Sequence, residues 1–177
     1  HELDFVDIDP TKDKAVFLDP FFISTRIQPW CIDVSRTVKS FFQYAIDLIR
    51  SEKIDEARSI FVNLNEPNET CLGMSRSKPQ GRGAGDDDSR RIFESISESK
   101  AVQTGVVEDL EDTAIFIDRI NRDKVSDMTT NIIKNHLIDY TQTQCELWGI
   151  PLVKDVPSGF FWDAANKKWD NFYTNRL

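Results

Sequence analysis

Asp127, Asn131 and Lys134 follow one another at intervals of four and three residues, so on an α-helix they stand on one face, with Thr130 beside them. A carboxylate, an amide and an ammonium so grouped could do chemistry. Asp127 could ligate a metal or accept a proton, Asn131 could orient a ligand, and Lys134 could stabilise developing negative charge. The competing structural reading makes Ser126 a helix cap and Asn131 an internal hydrogen bonder. Asn135, His136 and Asp139 project on the neighbouring face, where His136 reads as a packing or surface histidine.

A second group is acidic. Glu108 and Asp112 are four residues apart in VVEDLEDTAIFIDRI, so one helical turn separates two like charges. Such carboxylates repel unless a cation lies between them. A hard ion such as Mg²⁺ would explain the pair, with Asp127 as a further ligand. A solvated helix face would explain it equally well.

A third group is cationic. In PNETCLGMSRSKPQGRGAGDDDS, Arg76, Lys78 and Arg82 surround Gly81, Gly83 and Gly85, just before a helix start. Guanidinium groups and glycine-exposed backbone N–H groups are the parts of a phosphate cradle, here Arg76, Lys78, Arg82, Gly83 and Gly85. The loop is no Walker A motif, because Lys78 precedes the glycines and aspartates follow them. It is no dinucleotide fingerprint either, since a helical pattern precedes it. Asp86, Asp87 and Asp88 would repel phosphate at that helix start, which favours a plain surface loop.

The elements that must position these groups come from periodicity. Leu3–Ile8 alternates apolar and acidic residues and reads as a strand or extended arm; Ala15–Ile23, interrupted by Pro20, reads as extended before a turn at Gln28-Pro29. Asp33 or Ser35 should cap a helix to about Ser51, with Val38, Phe41, Phe42, Ala45, Ile46 and Ile49 inward. Ile54–Leu64 predicts its antiparallel partner, and Asp86–Ser97 and Val107–Ile120 predict two more helices. Asp123 or Ser126 should open the longest helix, to Trp148, closed by Gly149 and Pro151. From Pro157 onward the pattern predicts a β-hairpin turning at Ala164–Lys167. The four tryptophans, Trp30, Trp148, Trp162 and Trp169, read most simply as core; the alternative leaves Trp162 and Trp169 exposed for want of further strands.

The fold class expected is therefore α+β and mostly helical: a helical body with short N-terminal strands and a C-terminal β-hairpin. The 177 residues fit one domain, expected as the N-terminal part of a longer protein. The net charge of −8 argues against a wholly basic nucleic-acid surface but allows a local basic patch. No apolar run approaches the roughly 20 residues that cross a bilayer. Cys31, Cys71 and Cys145 are odd in number and widely spaced, which points to reduced thiols in a cytoplasmic protein rather than a disulfide framework.

Two stretches taken together resemble a family of uncharacterised bacterial proteins of mobile-element and phage-defence loci. They are LNEPNETCLGMSRSKPQGRGAG and VSDMTTNIIKNHLIDYTQTQC, with Ser126–Thr141 the most specific part. The resemblance implies a component of an anti-phage (antiviral) defence system that acts on or senses nucleic acid. It is compatible with a PD-(D/E)xK-like nuclease, a hydrolase in which carboxylates bind Mg²⁺ and a lysine activates water. The sequence departs from that pattern, since Glu52-Lys53 and Asp123-Lys124 lack the acid-x-lysine spacing. Three expectations follow. One is a non-catalytic interaction module with nucleic acid or protein subunits as partners and no membrane. Another is a Mg²⁺-dependent nuclease using Asp127, Glu108 and Asp112. The third is a nucleotide-binding enzyme. All three place the cationic loop and the start of the long helix at a common pocket.

Overall fold

A computed structural model describes residues 16–64, 86–98, 102, 104–105 and 122–176. The chain is α+β and mostly helical, as expected. The expected strand Leu3–Ile8, the helix Val107–Ile120, Cys71, and the loop with Arg76, Lys78, Arg82, Gly83 and Gly85 lie outside the described residues.

Helix α1 (Pro20–Ser24) stands where an extended segment was expected. The reason is local. The Asp19 carboxylate accepts the N–H groups of Phe21 and Phe22 at 2.9 and 3.1 Å, and Pro20 occupies the first helical position, where its missing N–H costs nothing. Proline also opens α2 (Pro29–Arg50), four residues before the first of the expected caps, after an extended Gln28 whose side chain makes no capping bond. In both places proline opens a helix that the sequence reading had it interrupt. At 22 residues α2 is the longest described helix, and it buries Val38, Phe41, Phe42, Ala45 and Ile46 of the predicted stripe together with Val34 and Leu48, while Ile49 is half-buried.

Helix α3 (Ile54–Ser59) is shorter than predicted and passes into turns that still bury Ile60, Phe61 and Leu64. Helix α4 (Asp86–Ser97) has the predicted bounds and turns Ile92, Phe93 and Ile96 into the core. Beyond it, Arg50 and Gln43 of α2 hold residues 102–105: Arg50 Nη1 donates to the Val102 carbonyl at 3.1 Å, and Gln43 Nε2 to the Gly105 carbonyl at 3.0 Å. Gly105 has φ +82°, which favours glycine, and a Cβ there would displace the flexible Arg50 guanidinium.

The expected long helix is two: α5 (Arg122–Ile132) and α6 (Lys134–Trp148), separated at Ile133, whose φ and ψ are −97° and 10°. The break is local, because Ile133 N–H still reaches the Thr129 carbonyl and Leu137 N–H the Ile133 carbonyl, at 3.0 and 3.2 Å. One turn before it, the Asn131 side-chain amide donates to the Asp127 carbonyl at 3.0 Å, a side-chain competitor for a helical acceptor. Gly149 closes α6 in the left-handed conformation, as its position predicts.

Strands β1 (Val153–Pro157), β2 (Phe161–Asp163), β3 (Lys168–Asp170) and β4 (Tyr173–Arg176) make two antiparallel ladders, β1 with β4 and β2 with β3. Together they are one ribbon interrupted at Ser158. There the Ser158 N–H donates to the Phe172 carbonyl, and Ser158 Oγ accepts the Phe172 N–H. The turn lies at Ala164–Lys167 as predicted. Asp163 Oδ1 accepts the Ala165 and Asn166 N–H groups, and Lys167 takes a positive φ.

Trp162 and Trp169 belong with the core, as the simplest reading expects, and are not left exposed, whereas Trp148 is 42% exposed. Trp162 and Trp169 face each other across β2 and β3 and pack edge-on against Phe41, with ring centroids 5.1 and 5.8 Å away. Trp162 is 2% exposed. Trp169 Nε1 donates to the Ile60 carbonyl at 2.6 Å. The hairpin therefore finds its apolar partner in the helical body rather than in further strands.

Two substitutions check this arrangement. Phe41→Ala should cost about 3–5 kcal/mol in chemical denaturation, since it opens a cavity at a ring that touches Phe42, Phe61, Trp162 and Trp169. Gly105→Ala should lower the melting temperature, and Gly105→Ala combined with Arg50→Ala should recover part of that loss by clearing the space.

Candidate functional site

Helices α5 and α6 carry the face that the sequence singled out. Ser126, Thr129, Thr130, Asn131 and Lys134 are all buried, and Asp127 is half-buried. Helix α5 packs on α2 and β2, and α6 on β2 and β4, so this polar face lies within the body rather than along its outside. Ser126 Oγ accepts the Leu18 N–H at 2.9 Å, tying the segment before α1 to α5; it is an internal acceptor rather than the expected cap.

Of the three residues proposed for chemistry, Asp127 and Asn131 stand on α5 and Lys134 opens α6, and each is engaged in an interaction. Asn131 directs its amide to the Asp127 backbone carbonyl. Lys134 is 5% exposed. Burying an ammonium is costly unless it is paired, so Lys134 is held by its surroundings rather than presented to solvent. Glu108 and Asp112, the other proposed metal ligands, and the proposed phosphate contacts Arg76, Lys78, Arg82, Gly83 and Gly85 lie outside the described residues. So does the meeting of Arg82 with Asp127. Among the described residues, no group of three or more His, Cys, Asp or Glu side chains is placed to hold a metal ion.

Thr130 is different from its neighbours. It is fully buried, and its Oγ1 has no hydrogen-bond partner; the Ser35 hydroxyl on α2 shares that property. An unsatisfied buried hydroxyl costs about 1–3 kcal/mol. A sequence reading cannot find this, because threonine in a helix normally returns its hydroxyl to a carbonyl one turn back. Thr141 and Thr143 do so, bonding the Leu137 and Asp139 carbonyls at 2.8 Å.

The sequence also underrated the seam between α2 and α6. His136 Nε2 lies 2.7 Å from Thr37 Oγ1, Thr37 Oγ1 lies 3.2 Å from the Asp33 carbonyl, and Trp30 Nε1 donates to the His136 carbonyl at 3.4 Å. The Trp30 ring meets Tyr140 at 6.1 Å. Burial pushes the His136 imidazole below its usual value, against the opposing pull of Asp139 and then Asp33. A signal was available: Thr37 places a hydroxyl inside the apolar stripe of α2, between Val34 and Phe41.

Cys31 and Cys145 are free thiols. Among the described residues, no helix is long and apolar enough to cross a membrane. A family described as a domain of unknown function, DUF8370, has a sequence model that matches residues 1–177. No curated protein and no solved structure matches the chain.

Thr130→Val should raise stability by about 1 kcal/mol in urea titration, because it exchanges an orphaned hydroxyl for a methyl group of similar shape. A loss of stability would mean that an internal water or a neighbouring group satisfies the hydroxyl.

Proposed function

The chain belongs to the DUF8370 family, and we propose that it is a non-catalytic nucleic-acid-sensing module, a cytoplasmic subunit of a bacterial anti-phage defence system. One observation carries the preference for binding over catalysis. The Asn131 amide of the expected reactive face is committed to the Asp127 backbone carbonyl. Lys134 beside it is buried and engaged. A general base or metal-ligating carboxylate needs neighbours that can turn toward a substrate. Neighbours committed to the fold instead make a rigid support. The resemblance of Ser126–Thr141 and of the Gly/Arg loop to proteins of phage-defence loci supports the nucleic-acid part of the reading. In it, Arg76, Lys78 and Arg82 neutralise backbone phosphates on an otherwise acidic chain.

The test is equilibrium binding of duplex and single-stranded DNA and RNA over a salt series, with and without Mg²⁺. Binding should persist in EDTA without strand scission. Replacing Arg76, Lys78 and Arg82 together by alanine should flatten the log–log salt slope by roughly 2 to 3, from about 0.9 per duplex phosphate contact. Mg²⁺-dependent cleavage that vanishes in Asp127→Ala would overturn the proposal in favour of the nuclease. A salt slope unchanged by the triple substitution would remove the loop from the interface.

A further inference from the structure

The seam of α2 and α6 contains an ionisable group that neither the aromatic core nor the proposed nucleic-acid contact uses. We propose that His136 is a pH-sensitive lock that holds the first turn of α6 against α2 when neutral and releases it, about the break at Ile133, when protonated.

The hydrogen bonds define what protonation changes. The Thr37 hydroxyl has one proton, and the Asp33 carbonyl, 3.2 Å away, can accept it. In that arrangement the His136 Nε2–H donates to Thr37 Oγ1 across 2.7 Å. This relay is compatible with neutral and charged imidazole alike, so acid adds a charge without deleting the bond. The cost is then one of solvation. The imidazolium would sit half-buried beside the indole of Trp30, which is fixed to the His136 carbonyl.

The charges that act on the ring come from both helices. Asp139 lies one turn further along α6, and Asp33 lies on α2. Each favours the imidazolium, but Asp33 is already paired with Arg36 at 3.0 Å on the exposed side of α2. Burial prevails over both. Desolvation is relieved if the first turn of α6 moves toward water, where Asp139 still accompanies the ring. Ile133 makes that motion local, because the helical path is already interrupted there. Since the folded state prefers the neutral ring, the contribution of the lock is complete above the ordinary histidine value near 6.5. It is lost as pH falls through the lowered folded value.

The chain has two histidines, His1 and His136, so the two imidazoles can be followed separately by NMR in the intact chain. The His136 ring should titrate below the ordinary histidine value near 6.5. As pH falls from about 7 to about 5, protection factors of the amides in 135–141 should drop, while those of 41–46 in α2 hold. His136→Gln, which can still donate to Thr37 but never ionises, should abolish that pH dependence. If His136→Gln does not fold, Thr37→Val serves. It removes the acceptor and should lower protection of 135–141 already at neutral pH. A His136 ring that titrates at or above the ordinary histidine value near 6.5, or a loss of protection spread evenly over α2 and α6, would overturn the proposal. So would a wild-type profile reproduced by His136→Gln.

Discussion

The edge-on contact of Phe41 with two tryptophans on a separate hairpin is the interaction from which the rest of the molecule takes its position. Phe41 is fully buried on α2, and its ring meets Phe42, Phe61, Trp162 and Trp169 at centroid distances between 5.1 and 5.8 Å, each steeply inclined. Aromatic rings so arranged place positive edges on negative faces, which adds direction to apolar burial. The direction is sharpened by Trp169, whose indole N–H can reach the Ile60 carbonyl only when the ribbon sits in one register on the turns after α3. Phe61 carries the contact on to Phe93, bringing in α4. The β-ribbon, which alone would be marginal, is thus held by the same residue that joins α2 to α3.

This explains which parts of the architecture could be read from the sequence. The stripe on α2, the bounds of α4, the Gly149 cap and the turn at Ala164–Lys167 are all written in short-range patterns, and each stands where those patterns put it. Proline misled at Pro20 and Pro29, because the residue that ends a segment is also the one best suited to the first turn of a helix. Only the neighbours decide. Asp19, with its carboxylate on two N–H groups, was the available signal at the first site. The packing of Trp162 and Trp169 on Phe41 depends on tertiary partners, and no local pattern encodes which ring they meet.

The candidate site was legible in type and illegible in state. The recurrence of Asp127, Asn131 and Lys134 on one helical face, rich in hydroxyl and amide groups, is visible in the residues. Asn131 and Lys134 are buried and Asp127 half-buried. What periodicity could not say is where each polar atom spends its hydrogen bonds. Asn131 spends its amide on a carbonyl one turn back, and Thr130 spends its hydroxyl on nothing. The first satisfies the amide inside the helix; the second is costly. Two residues adjacent in sequence therefore carry opposite energetic signs, and only coordinates separate them.

The two interruptions of regular structure, at Ile133 and at Ser158, also have different consequences. At Ser158 the side chain takes over the ladder bond that the backbone gives up, so the ribbon bends without losing a partner for the Phe172 amide. The inner ladder, β2 with β3, stays on Phe41, while the outer ladder is joined to α6 through Gln142, whose amide donates to Thr174 Oγ1 and the Asn175 carbonyl at 2.7 and 2.8 Å. At Ile133 no side chain caps the start of α6. The first turn of that helix is joined instead to α2, by the bond between the His136 ring and Thr37 and by that from Trp30 to the His136 carbonyl. A helix end secured by one titratable ring and one indole is more sensitive to its surroundings than an end secured by a backbone cap. The Gly149 end of the same helix is secured in that second way, by the Gly149 and Ile150 N–H groups on the Glu146 and Cys145 carbonyls. The asymmetry places the adaptable end of α6 beside the buried polar face and the fixed end beside the outer ladder.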